Sequence, residues 1–569
     1  HSLLATQVQS RLREALGVEL PLRALFEAPM LADLAARAAA ARPGDEGTSP
    51  LPITRANRDM ALPLSHAQQR LWFLDQLEPG NAFYILPAAV RLHGELDVDA
   101  LHRTLYEVTR RHEVLRTCFI APDGVPVQVV MPATEFDFPL TDLSALPAEE
   151  REDALQQLLA NAVRSGFDLA EGSLMRAQLV RLDAREHVVA LALHHIVSDG
   201  WSTGVLVREV AALYEAFSRG EPSPLPALSV QYADYASWQR EWLSGAVLRE
   251  QLDYWQAQLA DAPTLLNLPT DHPRPAVQRH RGAVHGFEIA AQITDALRAA
   301  SRRGQATLFM TLASGFAVLL SRYSGDTDIA IGTPIANRTH SQTEDLIGCF
   351  ANTLVLRETV EADDTFSSLL ARMRETTLGA YTHQDVPFEQ LVEILQPRRN
   401  PAHAPLFQVM LALHNAPFEA MQLPGLDLAS VGYAATSAKF DLTLNLEEVE
   451  GGLRGTFEYD TDLFDATTIQ RMSAHFVRLL DTMAAEPEAR IAGFGMLTDA
   501  ERSLVVDEWN ETSAAHSNEP TWHARFEAQV ERTPDAISVT DETGSVSYRE
   551  LNRRANRLAH YLRERGVAP

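Results

Sequence analysis

Cysteine is nearly absent: Cys118 and Cys349 are the only two in 569 residues, and they lie far apart in sequence. They offer no disulfide framework, and the chain is expected in a reducing cytoplasm. Long apolar runs are missing too. The best candidate, residues 308–320, is interrupted by Thr311 and Ser314. It falls short of the roughly 20 residues a bilayer-spanning helix needs and reads as a buried helix of a soluble protein. Positive charge is in deficit, with 49 Lys and Arg against 76 Asp and Glu, a formal charge of −27. That balance argues against a nucleic-acid partner, which demands a basic surface, and against anionic membranes. The opening His1-Ser2-Leu3-Leu4 lacks the basic-then-apolar order of a signal peptide. No Walker-type or dinucleotide-type glycine motif occurs, and no cysteine pairs or zinc-protease spacing, so no metal site is expected. What remains is an ordinary globular composition, 46% hydrophobic and 22% charged, in a chain long enough for several domains.

The most informative stretch is His194-His195-Ile196-Val197-Ser198-Asp199-Gly200. An apolar run over residues 188–193 leads into it, and a helical pattern begins at Ser202. The layout delivers an imidazole from the end of a buried strand. Histidine titrates nearest neutral pH, so a rigidly held ring facing a cavity suits proton movement in acyl transfer. The seven residues alone fit a pair of core histidines equally well. A shared metal is disfavoured, because consecutive strand residues point to opposite faces.

Around this stretch the chain is punctuated. Residues 3–16 carry Leu4, Val8, Leu12 and Ala15 at helical spacing before Gly17, with Ser2 as the expected N-cap. A second helix is expected over about 29–40, with Leu31, Leu34, Ala35 and Ala38 on one side. Residues 42–52, rich in Pro, Gly and Ser, read as a linker. Beyond it, strand-like runs at 127–131, 188–193 and 329–331 alternate with helical patterns at 152–163, 203–217, 292–302 and 366–380, which implies a mixed α/β architecture. The stretch Glu221-Pro222-Ser223-Pro224-Leu225-Pro226 is the expected hinge between two lobes. After a polar stretch at 510–520 the pattern changes to a helix at 522–532, a strand at 537–540 and a long helix at 548–564.

The histidine stretch with its Trp201-Ser202 extension resembles the active-site signature HHxxxDG of nonribosomal peptide synthetase condensation domains, and further motifs of that family stand in order. Ser65-His66-Ala67-Gln68-Gln69-Arg70-Leu71-Trp72-Phe73-Leu74 and Arg111-His112-Glu113-Val114-Leu115-Arg116-Thr117 precede it. Tyr232-Ala233-Asp234-Tyr235-Ala236-Ser237-Trp238, Ile347-Gly348-Cys349-Phe350-Ala351-Asn352-Thr353-Leu354, His383-Gln384-Asp385-Val386-Pro387-Phe388-Glu389 and Pro405-Leu406-Phe407-Gln408-Val409 follow. Ala351, where valine is frequent, and Ala402-His403, which interrupt a usual basic-serine pattern, depart from the family. Arg532-Thr533-Pro534-Asp535 and Val546-Ser547-Tyr548-Arg549-Glu550-Leu551 look like the opening of an adenylation domain, and His1-Ser2-Leu3 resembles the end of a carrier's phosphopantetheine motif.

The resemblance implies an α/β fold of two chloramphenicol-acetyltransferase-like lobes in a V-shaped pseudo-dimer. It divides the chain into a partial carrier at 1–42, a linker at 43–60, a condensation domain at 61–498 (lobes 61–226 and 227–498), a linker at 499–520 and an adenylation start at 521–569. The implied reaction is peptide-bond formation. The amine of a downstream carrier-bound aminoacyl thioester attacks the carbonyl of an upstream one, and the chain passes to the acceptor. His195 is placed at the reacting centre, as general base or as a group that positions the amine and stabilises the intermediate. His194, on the other strand face, is expected to be structural. Asp199 is expected to shape the turn and pair with Arg338, Gly200 to keep the channel clear, and Asn352 either to donate near the acyl centre or to be an ordinary strand-end amide. Arg70, Arg111 and Arg116 are expected in internal contacts, and Trp201, Trp238 and Phe388 in packing. Ser2 would carry 4'-phosphopantetheine, unless it is a plain N-cap. The expected partners are both carrier-bound thioesters and neighbouring synthetase domains, in a monomer, and a chain ending at Pro569 is expected not to activate an amino acid by itself. Two rivals stay open: an epimerisation domain of the same superfamily, and a docking module without chemistry.

Overall fold

The computed structural model describes residues 2–18, 20–28, 30–41, 52–397, 400–414, 423–432, 437–513 and 521–568. The chain divides into two compact units, 1–496 and 497–569.

The larger unit is α/β and holds two main sheets. Strand Glu186–His194, buried along almost its whole length, lies between antiparallel neighbours Ile85–Gly94 and Met175–Asp183 in a five-stranded sheet. Near-continuous burial is what a strand covered on both faces demands, and it accounts for the apolar run read from sequence. The second sheet has six strands, in the order Asn352–Thr359, Asp328–Ile335, Val409–His414, Leu442–Val449, Gly452–Asp460 and Gly282–Ala290. Leu308–Ser324 is its central helix, buried from Phe309 to Leu320. Thr307 caps it by accepting from the Met310 N–H at 3.2 Å, and Gly325, at φ 75°, turns the chain out. The two polar residues of its buried stretch are satisfied locally: the hydroxyls of Thr311 and Ser314 donate to the carbonyls of Thr307 and Met310. Among the described residues no single helix is long and apolar enough to cross a membrane.

Two segments beyond the expected lobe boundary at 226/227 pack with elements before it. Tyr232, Tyr235 and Ala236, on helix Tyr232–Trp242, bury into the first lobe's core beside Ile196 and Val197. Strand Leu426–Ser430 pairs with Ile85–Gly94, at the edge of the first sheet. Both return because each offers an apolar face, or an open ladder, that the first lobe completes.

At the N-terminus, helices Ser2–Leu16, Leu22–Glu27 and Leu31–Ala40 close on a small core of Val18, Leu20 and Ala38. Gly17 ends the first helix at φ 65°. The middle helix is unexpected, being too short for periodicity to show, and Leu31 is 81% exposed instead of sharing the apolar face with Ala38. The 42–51 part of the expected linker and Pro29 lie outside the described residues. Within the larger unit these helices join the later residues through Arg23–Glu375 at 2.6 Å, Arg11–Glu344 at 3.5 Å and a Ser341 N–H to Ser10 Oγ bond of 2.9 Å.

The second unit starts at Leu497, and its first helix, Asp499–Val506, lies within the stretch read as a linker from sequence; its capping box joins Thr498 and Glu501. Helix Trp522–Arg532, the hairpin Ile537–Asp541 with Gly544–Ser547, and helix Tyr548–Glu564 follow. Residues 514–520 lie outside the described residues.

Candidate active site

The strand stops at His194, and a short 3-10 turn, His195–Val197, carries the second histidine. That one-residue difference separates the two rings. His194 is 2% exposed, its Nδ1 accepts the Ile196 N–H at 3.1 Å, and it meets the Phe167 ring edge-on at 6.1 Å. Burial pushes its pKa down to about 4. His195 keeps part of its surface open and lines two cavities, of 1030 and 480 Å³. Its pKa also falls to about 4, first through burial and then through the Lys439 charge. The ring is therefore neutral at physiological pH. Cys349 Sγ stands 3.7 Å from its Nδ1.

Asp199 caps helix Gly200–Ser218, and its carboxylate is fully used. One oxygen accepts the Ser202 N–H (2.8 Å), the Ser202 hydroxyl (2.7 Å) and Arg338 Nη2 (3.2 Å). The other accepts the Phe350 and Ala351 N–H groups at 2.9 and 3.2 Å. Arg338 is 5% exposed, donates further to the carbonyls of Thr343 and Leu346, and lies 4.0 Å over the Phe350 ring. Burial lowers its pKa. The pair thus ties the histidine turn to residues 338–351 and leaves no carboxylate lone pair aimed at a substrate.

Gly200 lines the smaller cavity, where a Cβ would meet no heavy atom within 4 Å. Asn352 does not face the reacting centre as a donor. Both its N–H groups are spent on the Gln384 and Val386 carbonyls (2.9 and 2.7 Å), and its oxygen accepts from the N–H groups of Thr353 and Phe388. Asn352 thus ties the 384–388 segment to the start of strand Asn352–Thr359 and also lines the larger cavity. Arg70 pairs with Glu389 at 2.9 Å, Arg111 with Glu209 at 2.8 Å, and Arg116 donates to the Met131 carbonyl. Trp201 donates to the Glu344 carbonyl, Trp238 stacks on Trp242, and Phe388 packs on Phe407.

The distant motifs meet because their polar atoms complete one another. Tyr232 Oη bonds Ser65 Oγ (2.8 Å) and the Cys349 carbonyl (2.6 Å), and Gln68 Nε2 reaches the Ile196 carbonyl. Gly348 must be glycine here, since a Cβ would lie 2.0 Å from the Tyr232 ring.

Three cavity residues have no role assigned from sequence. Cys349 enters the sequence reading through the question of disulfides and as a member of the 347–353 motif, with no chemical role of its own. Asp385 lines the larger cavity, where burial pushes its carboxyl up to about 7. Lys439 lines the same cavity with its ammonium 5.5 Å from the Phe83 ring centroid and 5.4 Å from that of Tyr84. A signal for it exists: it is the only lysine among the 49 basic residues.

Residues 58–506 match the family model "Condensation domain", residues 526–569 "AMP-binding enzyme" and residues 1–38 "Phosphopantetheine attachment site". A linear gramicidin synthase of Brevibacillus parabrevis is 46% identical over all of this chain, which spans 7% of that protein's length. The X-domain from teicoplanin biosynthesis is similar over 79% of this chain and its own full length, with TM-score 0.72 and 29% identity. The four-domain nonribosomal peptide synthetase AB3403 is similar over 90% of this chain and 39% of its own, with TM-score 0.76 and 25% identity.

Proposed function

This chain belongs to the condensation-domain family of nonribosomal peptide synthetases, and we propose that it joins two carrier-bound thioesters by a peptide bond at His195. The observation that carries this reading is that His195 lines both cavities, whereas His194 lines only the larger one. Two tethered substrates need two approaches to one reacting centre. Gln7, on the first helix of the carrier-like segment, lines the smaller cavity together with His195. That supports the smaller cavity as the entry for the upstream acyl group and the larger as the entry for the amine.

A ring whose conjugate acid has a pKa near 4 does not deprotonate an ammonium in its ground state. The amine must arrive neutral. His195 then accepts a hydrogen bond from it, orienting the lone pair at the thioester carbonyl, and takes the proton only as the C–N bond forms and the nitrogen becomes acidic. Asp199 and Arg338 act as positioning residues by holding the turn. Alignment of the two tethers supplies the larger share of the acceleration.

Ser2 is the first described residue and lies at the start of helix Ser2–Leu16, and the match of residues 1–38 to the phosphopantetheine-attachment family supports it as the attachment site. Phosphopantetheine there supplies a thiol that carries acyl groups as thioesters. Treating the complete carrier with a phosphopantetheinyl transferase should add the arm to Ser2, as read by mass spectrometry; an arm on another residue would overturn the assignment. Gly200→Leu should leave the melting temperature within a few degrees, since the new side chain enters open space. It should slow condensation about tenfold or more by displacing the acyl group; an unchanged rate would remove Gly200 from the channel.

The deciding experiment incubates both loaded carriers with the protein and detects dipeptidyl thioester. Inversion of the donor α-carbon without product would favour epimerisation. The related X-domain has been solved in complex with OxyB, so carrier binding without either chemistry would favour recruitment.

A further inference from the structure

Among the described residues four line both cavities: His195, Pro334, Asn337 and Ala351. The acyl carbon and the attacking nitrogen must meet where the two cavities share a wall, so a side chain that assists the reacting atoms belongs in this group. Proline and alanine carry no polar side-chain atom. The imidazole and the Asn337 amide are therefore the side chains of that wall able to hydrogen-bond a substrate.

Asn337 is held there in an unfavourable backbone state. Its φ is 51°, in the left-handed region, which disfavours side chains in general and which asparagine tolerates better than most. The chain is fixed on either side of it. Strand Asp328–Ile335 ends two residues earlier, with Ile335 in register with Asn352. Arg338, the next residue, is held by Asp199 at 3.2 Å, Ser202 Oγ at 2.9 Å and the Leu346 carbonyl at 2.7 Å. Asp199 caps the helix that follows the histidine turn, so one network anchors both Asn337 and His195. Yet among the described residues the half-buried Asn337 amide has no hydrogen-bond partner. A donor held in place at some backbone cost, with its N–H groups unspent, is what a preorganised site presents to a developing charge.

The neighbouring donors are spent or stand elsewhere. The Phe350 and Ala351 N–H groups go to Asp199, the Trp201 indole to the Glu344 carbonyl, and the Asn352 amide to the Gln384 and Val386 carbonyls. Gly200 and Trp201, which open helix Gly200–Ser218, border only the smaller cavity, and Lys439 only the larger. Resting on the condensation reading, we propose that Asn337 is a second catalytic residue, whose Nδ2–H donates to the thioester carbonyl oxygen as the amine adds. While the C–N bond forms, the C=O π pair moves onto that oxygen. It returns as the C–S bond breaks, and pantetheine leaves as the thiol, with the proton that His195 took from the nitrogen. The nitrogen of His195 that accepts this proton has no hydrogen to offer the oxygen, so the two side chains divide the work.

Asn337→Gly separates the amide from the backbone that carries it, because glycine adopts a positive φ without cost. Its melting temperature should stay within a few degrees of the parent. Single-turnover condensation with preloaded carriers should fall about 10²- to 10³-fold, the usual loss of one oxyanion donor, with the KM for the acceptor carrier nearly unchanged. Asn337→Asp, of the same shape but without side-chain N–H donors, should lose as much and serves if the Gly variant does not fold. A Gly variant as fast as the parent would mean that asparagine is there for its backbone alone, and overturns the proposal. The second readout needs no turnover: the infrared spectrum of an acyl-pantetheine thioester with a ¹³C carbonyl, bound to the intact chain. Its carbonyl stretch should move to lower frequency on binding the parent and move less on binding Asn337→Gly; equal shifts overturn the contact. A parent that binds the thioester and forms no dipeptide overturns the condensation reading instead, and the carbonyl frequency still decides the contact.

Discussion

His195→Ala should form peptide about 10²- to 10⁴-fold more slowly than the parent in single turnover with preloaded carriers, the range for a positioned proton-transfer group. Carrier binding should change little, because the ring contacts neither the Arg23–Glu375 nor the Arg11–Glu344 pair. Folding should survive as well: the side chain borders two cavities, so its loss enlarges open space without breaking a packed core. His194→Ala should behave in the opposite way. Its ring is 2% exposed, sits against Phe167 and accepts the N–H that starts the 3-10 turn, so its removal strands a buried donor. The melting temperature should fall while the folded fraction still condenses within a few-fold of the parent. A His195→Ala rate within a few-fold of the parent would mean that alignment of the tethers alone drives the reaction.

The contrast between the two histidines shows what a sequence can carry. The strand is legible because residues 188–193 are apolar without interruption, and the structure extends it only to Glu186–His194. Helices read at 152–163, 203–217, 292–302 and 366–380 appear as Ala148–Arg164, Gly200–Ser218, Ala291–Arg303 and Phe366–Thr382. Local periodicity is enough for these. What escapes is non-local. Nothing in residues 426–430 says that they pair with residues 90–94, more than 300 positions away, because an edge strand's partner is chosen by geometry. Asn352 is ambiguous in sequence for a similar reason: its fate depends on carbonyls 32 and 34 residues further on. Lys439 is visible there only as a compositional oddity, and its meaning comes from the cavity it enters.

Asp199→Ala and Arg338→Ala should each cost about 3 to 5 kcal/mol of stability, the usual result of removing one partner from a buried pair. Both side chains are almost fully enclosed, at 1% and 5% exposure. Without Arg338 the carboxylate keeps its four donors from Ser202, Phe350 and Ala351 but loses its counter-charge. Without Asp199 the guanidinium keeps the Thr343 and Leu346 carbonyls and the Ser202 hydroxyl, and two backbone N–H groups at 350 and 351 are left unpaired. The loss should therefore be larger for Asp199→Ala, which also removes the cap of helix Gly200–Ser218. A double variant replacing the pair by Leu and Met should recover part of the loss, since apolar groups of similar volume remove the stranded charge. Denaturant midpoints of the three variants measure this directly, with condensation rates taken on the folded fraction. A single variant as stable as the parent and yet inactive would show that its residue acts on the reacting atoms, and would place Asp199 or Arg338 beside His195 in the chemistry.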